Sequence, residues 1–263
     1  MGKLSRALLI TMITMIIFMH LNHLHASSTV LHICPFNSNS GEELSYEVEV
    51  DNGLIKKDLC TLDELHVDTI KRIENQEVLT KLIESEVKQL VQFAMIAFIP
   101  AEANRIAGLL FNTDSLDQLL PNTSRLSVLD INNMEELARC YPDFASIHND
   151  VDFAHSQIFQ AKVTYGEGLF RIVDQVVQHS MLLRYADSLN LYSNLVASDK
   201  MFKSAFNMFK LIPYQDGTIL ISYSNGHIKH PQASLFMDKI KSSTIKSFKQ
   251  FVLDLKKMLG VYK

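Results

Sequence analysis

The apolar pattern after position 155 constrains the fold of this chain most, because its period keeps switching. Residues 162–165 and 189–192 read as short β-like runs, with helical segments expected at 168–180 and 197–206. Further β candidates follow at 208–212 and 218–223, Asn225-Gly226 supplies turn chemistry, and helices at 231–240 and 244–259 close the chain. Strand alternating with helix is how an α/β lobe reads.

The part before it is richer in helical signals. Residues 29–33 form a short β-like run, and Tyr46, Val48 and Val50 alternate with Glu47 and Glu49 before the turn residues Asp51-Asn52-Gly53. Thr61 and Glu64 have the spacing of a capping box and open a helical region. Val78, Leu79, Leu82, Ile83, Val87, Leu90 and Val91 continue a helical stripe as far as Pro100, which suits the first turn of a helix over 101–111. Asn133 caps a further helix at 134–140. The expected fold is therefore a helix-rich α/β protein of two lobes, with a mainly α chain carrying short β-hairpins as the alternative. The expected domains are a signal peptide at 1–26, a first, helix-rich lobe at 27–142 and a second, α/β lobe at 143–263.

The leader sets the compartment. Lys3 and Arg6 precede an apolar stretch at 7–19, and Leu24-His25-Ala26-Ser27 is a small-residue exit for a signal peptidase. The apolar run is roughly 13 residues, against the ~20 that a membrane span needs. Export to the periplasm or outside the cell is the expectation, and an N-terminal membrane anchor is the alternative. Three cysteines are an odd count for an exported chain. Spacing alone does not determine connectivity. Cys34 with Cys60 is the expected pair because a short segment separates them, and Cys140 is then the free thiol. The net charge of -4 gives no electrostatic basis for nucleic-acid binding.

Leu169 to Val177, Arg184-Tyr185-Ala186-Asp187, Leu211-Ile212-Pro213, Ile219-Leu220-Ile221-Ser222 and His230-Pro231 succeed one another in a way that resembles the second lobe of type II periplasmic solute-binding proteins and the effector-binding domain of LysR-type regulators. The resemblance implies a cleft between two lobes and a ligand contact from Asp187, in an Arg-x-x-Asp turn. It also implies an opening strand with a ligand-facing aromatic, Phe36, and a carboxylate-binding arginine, Arg105. The chain lacks the threonine expected near Arg105 and the aromatic-rich stretch after it.

Each candidate has a plain competing reading. Arg105 could grip a carboxylate with its planar fork or simply be a solvated helix residue. Asp187 could accept an ammonium or cap a turn. Phe36 could stack on ligand or pack in the core. His148, Asp150, Asp152 and His155 are metal-ligand types, but their spacing suits a polar connection better than a metal site. Cys34-Pro35-Phe36 has the position of a thioredoxin-like active site with Asn37 where the second cysteine belongs, which leaves only a monothiol mechanism. Ile245, Phe248, Val252, Leu255 and Leu259 make the last helix amphipathic, the pattern of a terminal helix docked on its own domain.

The expected function is non-enzymatic binding of a small polar solute, with a membrane transport or receptor protein as partner and with no cofactor, metal or nucleic acid. The alternatives are a secreted helical interaction protein without a pocket and a monothiol oxidoreductase acting through Cys34.

Overall fold

The computed structural model describes residues 31–36, 57–85, 87–112, 115, 118–119, 123–131, 153–165, 171–231 and 233–262. Its centre is one sheet made of β3 (Leu79–Ile83), β4 (Leu90–Ile99), β5 (Thr123–Ile131), β6 (Phe153–Tyr165), β7 (Ile172–Arg184), β8 (Leu189–Ser198), β9 (Phe202–Tyr214) and β10 (Gly217–Ile228). The spatial order is β3-β4-β10-β9-β8-β7-β6-β5, and every pairing is antiparallel. Strands β5 to β10 therefore run as an up-and-down meander, after which β10 pairs with β4 from much earlier in the chain. A small parallel pair, β1 (Leu31–Ile33) with β2 (Lys57–Leu59), lies outside this sheet. The described helices are α1 (Val67–Glu74), α2 (Ala103–Phe111) and α3 (Met237–Met258).

This architecture overturns the helix-rich two-lobed fold, its mainly α alternative and the likeness to periplasmic solute-binding proteins. Strands from both expected lobes share a single antiparallel sheet, where the resemblance implied strands alternating with helices. The segment at 168–180, expected to be helical, contributes to β7. Ile172, Val173, Val176 and Val177 match the helical template only because the strand buries apolar groups on both faces. Likewise Val78 and Leu82 pack on one side of the sheet while Leu79 and Ile83 pack on the other, so three residues of a presumed helical stripe, Leu79, Leu82 and Ile83, belong to an edge strand that Val78 immediately precedes. Asn225-Gly226 is not a turn but lies inside β10, where Gly226 leaves room for the Phe202 ring 3.2 Å from where a Cβ would stand.

Other expectations hold. Thr61 N–H and Oγ1 both donate to Glu64 Oε2, at 2.6 and 2.9 Å, and a short 3-10 turn leads into α1. The helix after Pro100 begins at Ala103. The last helix docks through Phe251, Val252, Leu255 and Leu259, and it is one continuous element where two were expected. The leader, the segment at 46–55, the helix at 134–140, Cys140 and the donors His148, Asp150 and Asp152 lie outside the described residues.

The sheet is covered on both sides. One face, the helical face, packs Phe93, Met95, Leu211 and Leu220 against α2 and α3. The other, the N-terminal face, packs Ile96, Met208, Ile221 and Tyr223 against Ile33, Leu59 and Ile73 of the β1–β2 ribbon and α1. Cys34 and Cys60 are joined in a disulfide with Cα atoms 4.6 Å apart. The ribbon is tied down by Lys210, a β9 residue only 4% exposed, whose Nζ donates to Asp58 Oδ1 at 3.1 Å and to the Leu59 carbonyl at 3.0 Å.

A second buried charge organises the opposite end of the sheet. The Asp174 carboxylate accepts from Ser198 Oγ at 2.6 Å, Lys200 N–H at 2.8 Å and Met201 N–H at 3.1 Å, holding the β8–β9 turn against β7. Asp174→Ala is expected to leave those donors unmatched and lower the unfolding free energy by roughly 2–4 kcal/mol. The double variant Cys34→Ser/Cys60→Ser is expected to lose about 3 kcal/mol through restored chain entropy. Urea denaturation checks both; an unchanged midpoint in either variant would count against that assignment.

Candidate functional site: a polar row beneath the helices

Strand alternation places every second side chain on the helical face, and the register determines which of them meet. Ser224 of β10 opposes Asn207 of β9, Asn207 opposes Ser193 of β8, Ser193 opposes Ser180 of β7, and Ser180 opposes Gln157 of β6. These five residues form one polar row across five strands, ended by Phe93 of β4. The adjacent row is mostly apolar: Met95, Ser222, Phe209, Leu191 and Leu182, with His155 on β6. Small hydroxyl and amide groups thus cross a greasy surface at right angles to the strands.

Helices close over this surface at several points. At one end Gln157 Nε2 donates to the Phe111 carbonyl at 3.1 Å, and the His155 ring meets the Phe111 ring edge-on at 4.7 Å. Arg184 donates to Asn104 Oδ1 at 3.0 Å, joining the end of β7 to the start of α2. Across the middle, α3 sets Phe248 4.7 Å from Phe93 and stacks Phe251 on Phe209 at 5.7 Å. At the far end Tyr165 meets Phe202 edge-on at 5.6 Å, beside Met201, Ile228 and the first turn of α3. Burial, reinforced by the negative charge of Asp174, pushes the Tyr165 hydroxyl far above its ordinary value, so it stays protonated.

Coverage of this face falls off along the strands toward the β8–β9 turn, through Leu195 and Ala205. Phe93, Met95, Leu211 and Leu220 have no accessible surface, yet Ser193, Asn207, Phe209 and Ser224 on the same face of interior strands keep some. Two polar atoms there have no hydrogen-bond partner in the protein, Asn207 Oδ1 and Ser222 Oγ, while Ser180 Oγ donates to Ser193 Oγ at 3.1 Å. Buried polar groups are nearly always matched, so each unmatched one calls for a partner beyond the chain's own groups, and Asn190 Oδ1 and Asn225 Oδ1 on the other face share this property. The row can hydrogen-bond through neutral groups, and no lysine or arginine stands among the described residues of either row.

The N-terminal face carries the same band on its other side. Gln92, Asn225, Phe206, Asn194 and His179 are successive cross-strand partners from β4 to β7. Asn190 donates to Tyr192 Oη at 3.3 Å and Asn225 to Tyr223 Oη at 3.4 Å. Burial pushes the Tyr223 hydroxyl up to about 12 and holds His179, hydrogen-bonded to Ser156, down to about 4. This face is filled by its own ribbon and α1, which makes the helical face the better candidate for a ligand.

The residues expected to bind ligand are spread over both sides of the sheet. Arg105 is exposed on α2, and Asp187 is exposed in the β7–β8 turn, where it accepts from Ser188 Oγ at 3.1 Å. The Arg184–Asn104 bond makes these two elements neighbours. Phe36 is half-buried against the cluster on the N-terminal face. Cys34 has its sulfur in the disulfide and is buried, so a free thiolate is not present for monothiol chemistry. Among the described residues no group of three or more metal-ligand side chains is placed to hold an ion. The polar row went unforeseen. Its signal is in Ser193-Asn194 and Ser224-Asn225, polar pairs interrupting apolar runs, the second of which overlaps the Asn225-Gly226 turn signal.

His179 makes stability depend on pH with a definite sign. The unfolded histidine titrates near 6.5 and the folded one near 4, so acid favours the unfolded chain. Its contribution is complete above pH 6.5, and about 3 kcal/mol is expected to be lost as pH falls to 4. Urea unfolding across that range should show a steeper loss for the wild type than for His179→Gln; identical slopes would remove His179 as the cause.

No family model and no curated protein matches this chain. Solved structures do show likeness to it. Human STARD10 aligns with a TM-score of 0.46 at 10% identity, covering 68% of this chain and 69% of its own. The aromatase/cyclase ZhuI from Streptomyces sp. R1128 aligns with a TM-score of 0.45 at 7% identity, covering 64% and 93%. A STAR-related lipid transfer protein fragment from Xanthomonas axonopodis aligns with a TM-score of 0.43 at 13% identity, covering 69% and 93%.

Proposed function

We propose that this protein binds a small molecule with an apolar body on the helical face of its sheet, beneath α2 and α3, without transforming it. The observation that carries the reading is a partly accessible stretch of that face, Ser193, Asn207, Phe209 and Ser224, beside positions that the helices seal completely. Binding sites of this kind are mostly apolar, with a few placed polar groups. Phe209, Leu182 and Phe248 supply the first character, and Asn207 and Ser193 the second. An apolar body replaces the polar solute first expected, because the cleft between lobes does not exist and the face in question is mainly hydrocarbon. The Cys34–Cys60 disulfide and the leader at 1–26 favour an oxidising compartment outside the cytosol as the place of action.

The test uses a neutral apolar fluorophore, N-phenyl-1-naphthylamine, titrated into the purified protein. Saturable uptake near one probe per chain is expected. Ser193→Trp and Asn207→Trp place bulk on the surface and should each weaken uptake by tenfold or more, with the thermal transition showing that the fold persists. Absence of saturable uptake, or uptake unaffected by both substitutions in folded protein, would falsify the proposal.

A further inference from the structure

We infer that the ligand of this site is uncharged and elongated, with hydrogen-bonding groups along one edge, and that it lies across the strands with that edge on the polar row. The inference rests on the proposed binding function and names the ligand's chemistry. Neighbouring strands stand about 4.8 Å apart, so a row of five strands offers polar groups at that interval over roughly 19 Å. A ligand lying along a strand would meet polar and apolar residues by turns. A ligand lying across the strands meets polar groups on one side and the apolar row of Phe209, Leu191 and Leu182 beside it.

The chemistry of the row selects by charge as well as by shape. Its members are three serines, an asparagine and a glutamine, and with no lysine or arginine in either row an anionic head would lose its hydration without gaining a counter-charge. Asn207 is the central contact. Its Oδ1 is without a partner in the protein and accepts from a ligand hydroxyl, while its Nδ2 is a donor type suited to a carbonyl or ether oxygen. Ser222, one row away on the same face, is fully buried with an unmatched hydroxyl and adds a second neutral polar group beside the row. The Ser180–Ser193 pair already satisfies part of its own hydrogen bonding and acts as a neutral shelf between Asn207 and Gln157.

The experiment displaces N-phenyl-1-naphthylamine from the full-length purified protein with three chains of equal length. These are a saturated fatty acid in its anionic form, the corresponding alcohol, and a diol whose hydroxyls match the strand interval of about 4.8 Å. The diol is expected to displace the probe about tenfold better than the alcohol, the worth of one added hydrogen bond, and the fatty acid anion to be the weakest. Asn207→Leu should erase the advantage of the diol and leave alcohol binding intact or improved, a result that misfolding cannot imitate. Ser180→Ala should reduce the same advantage partially. A fatty acid anion binding as tightly as the diol overturns the inference, as does a diol advantage that survives both substitutions. Uptake of the probe with no preference among the three chains removes the inference alone, whereas failure of the probe to bind removes the proposed function with it.

Discussion

Everything else in this protein follows from a sheet that is buried on both faces. A strand with one face in water shows clean alternation, and one covered on both sides does not, because apolar residues are wanted at every position. The helices α2 and α3 cover one side, and the disulfide ribbon with α1 covers the other. Each cover then needs its own attachment. The ribbon is too short to hold itself by apolar contact, which is why a buried lysine, Lys210, reaches through to Asp58 and the Leu59 carbonyl. Helix α3 is long enough to dock by its stripe, and its last turn is fixed further by Lys256, buried and hydrogen-bonded to Gln76 at 2.7 Å.

Double burial also explains why the polar band is conspicuous. Ser193 and Asn194, or Ser224 and Asn225, point to opposite faces of one strand, so the band is polar on both sides at the same level of the sheet. On the N-terminal side Gln92, Asn225 and His179 are buried and Asn194 is half-buried. On the helical side the band's amides and hydroxyls border side chains that retain accessibility. The same composition is therefore more deeply covered on one face than on the other.

What could be read in the sequence was local. The Thr61–Glu64 box, the helix after Pro100, the docked stripe of the last helix and the Cys34–Cys60 pairing depend on residues close in the chain or on simple periodicity, and the structure contains each of them. The β-rich architecture depended on partners far apart. Residues Ile172 to Val177 look helical by spacing because a doubly buried strand erases the two-residue period, and β-branched enrichment was the better guide there. The Asp174 clamp joins residues 24 to 27 positions apart, and no local pattern signals it. The candidate site escaped for the same reason. Ser180, Ser193, Asn207 and Ser224 become a row only once the register of five strands is known.

The pairing of β10 with β4 has a consequence for synthesis. Strand β4 precedes almost the whole meander, yet its inner edge is hydrogen-bonded to the last strand of the sheet, Leu90 opposite His227 and Ile99 opposite Thr218. During translation that edge, bordered by Phe93, Met95 and Ile96, must wait unpaired until β10 has been made. Contacts this distant slow folding, and an exposed apolar edge in the meantime invites association with other chains. A nascent chain of this design is therefore at its most vulnerable just before completion, when all of the meander but its closing strand has been made.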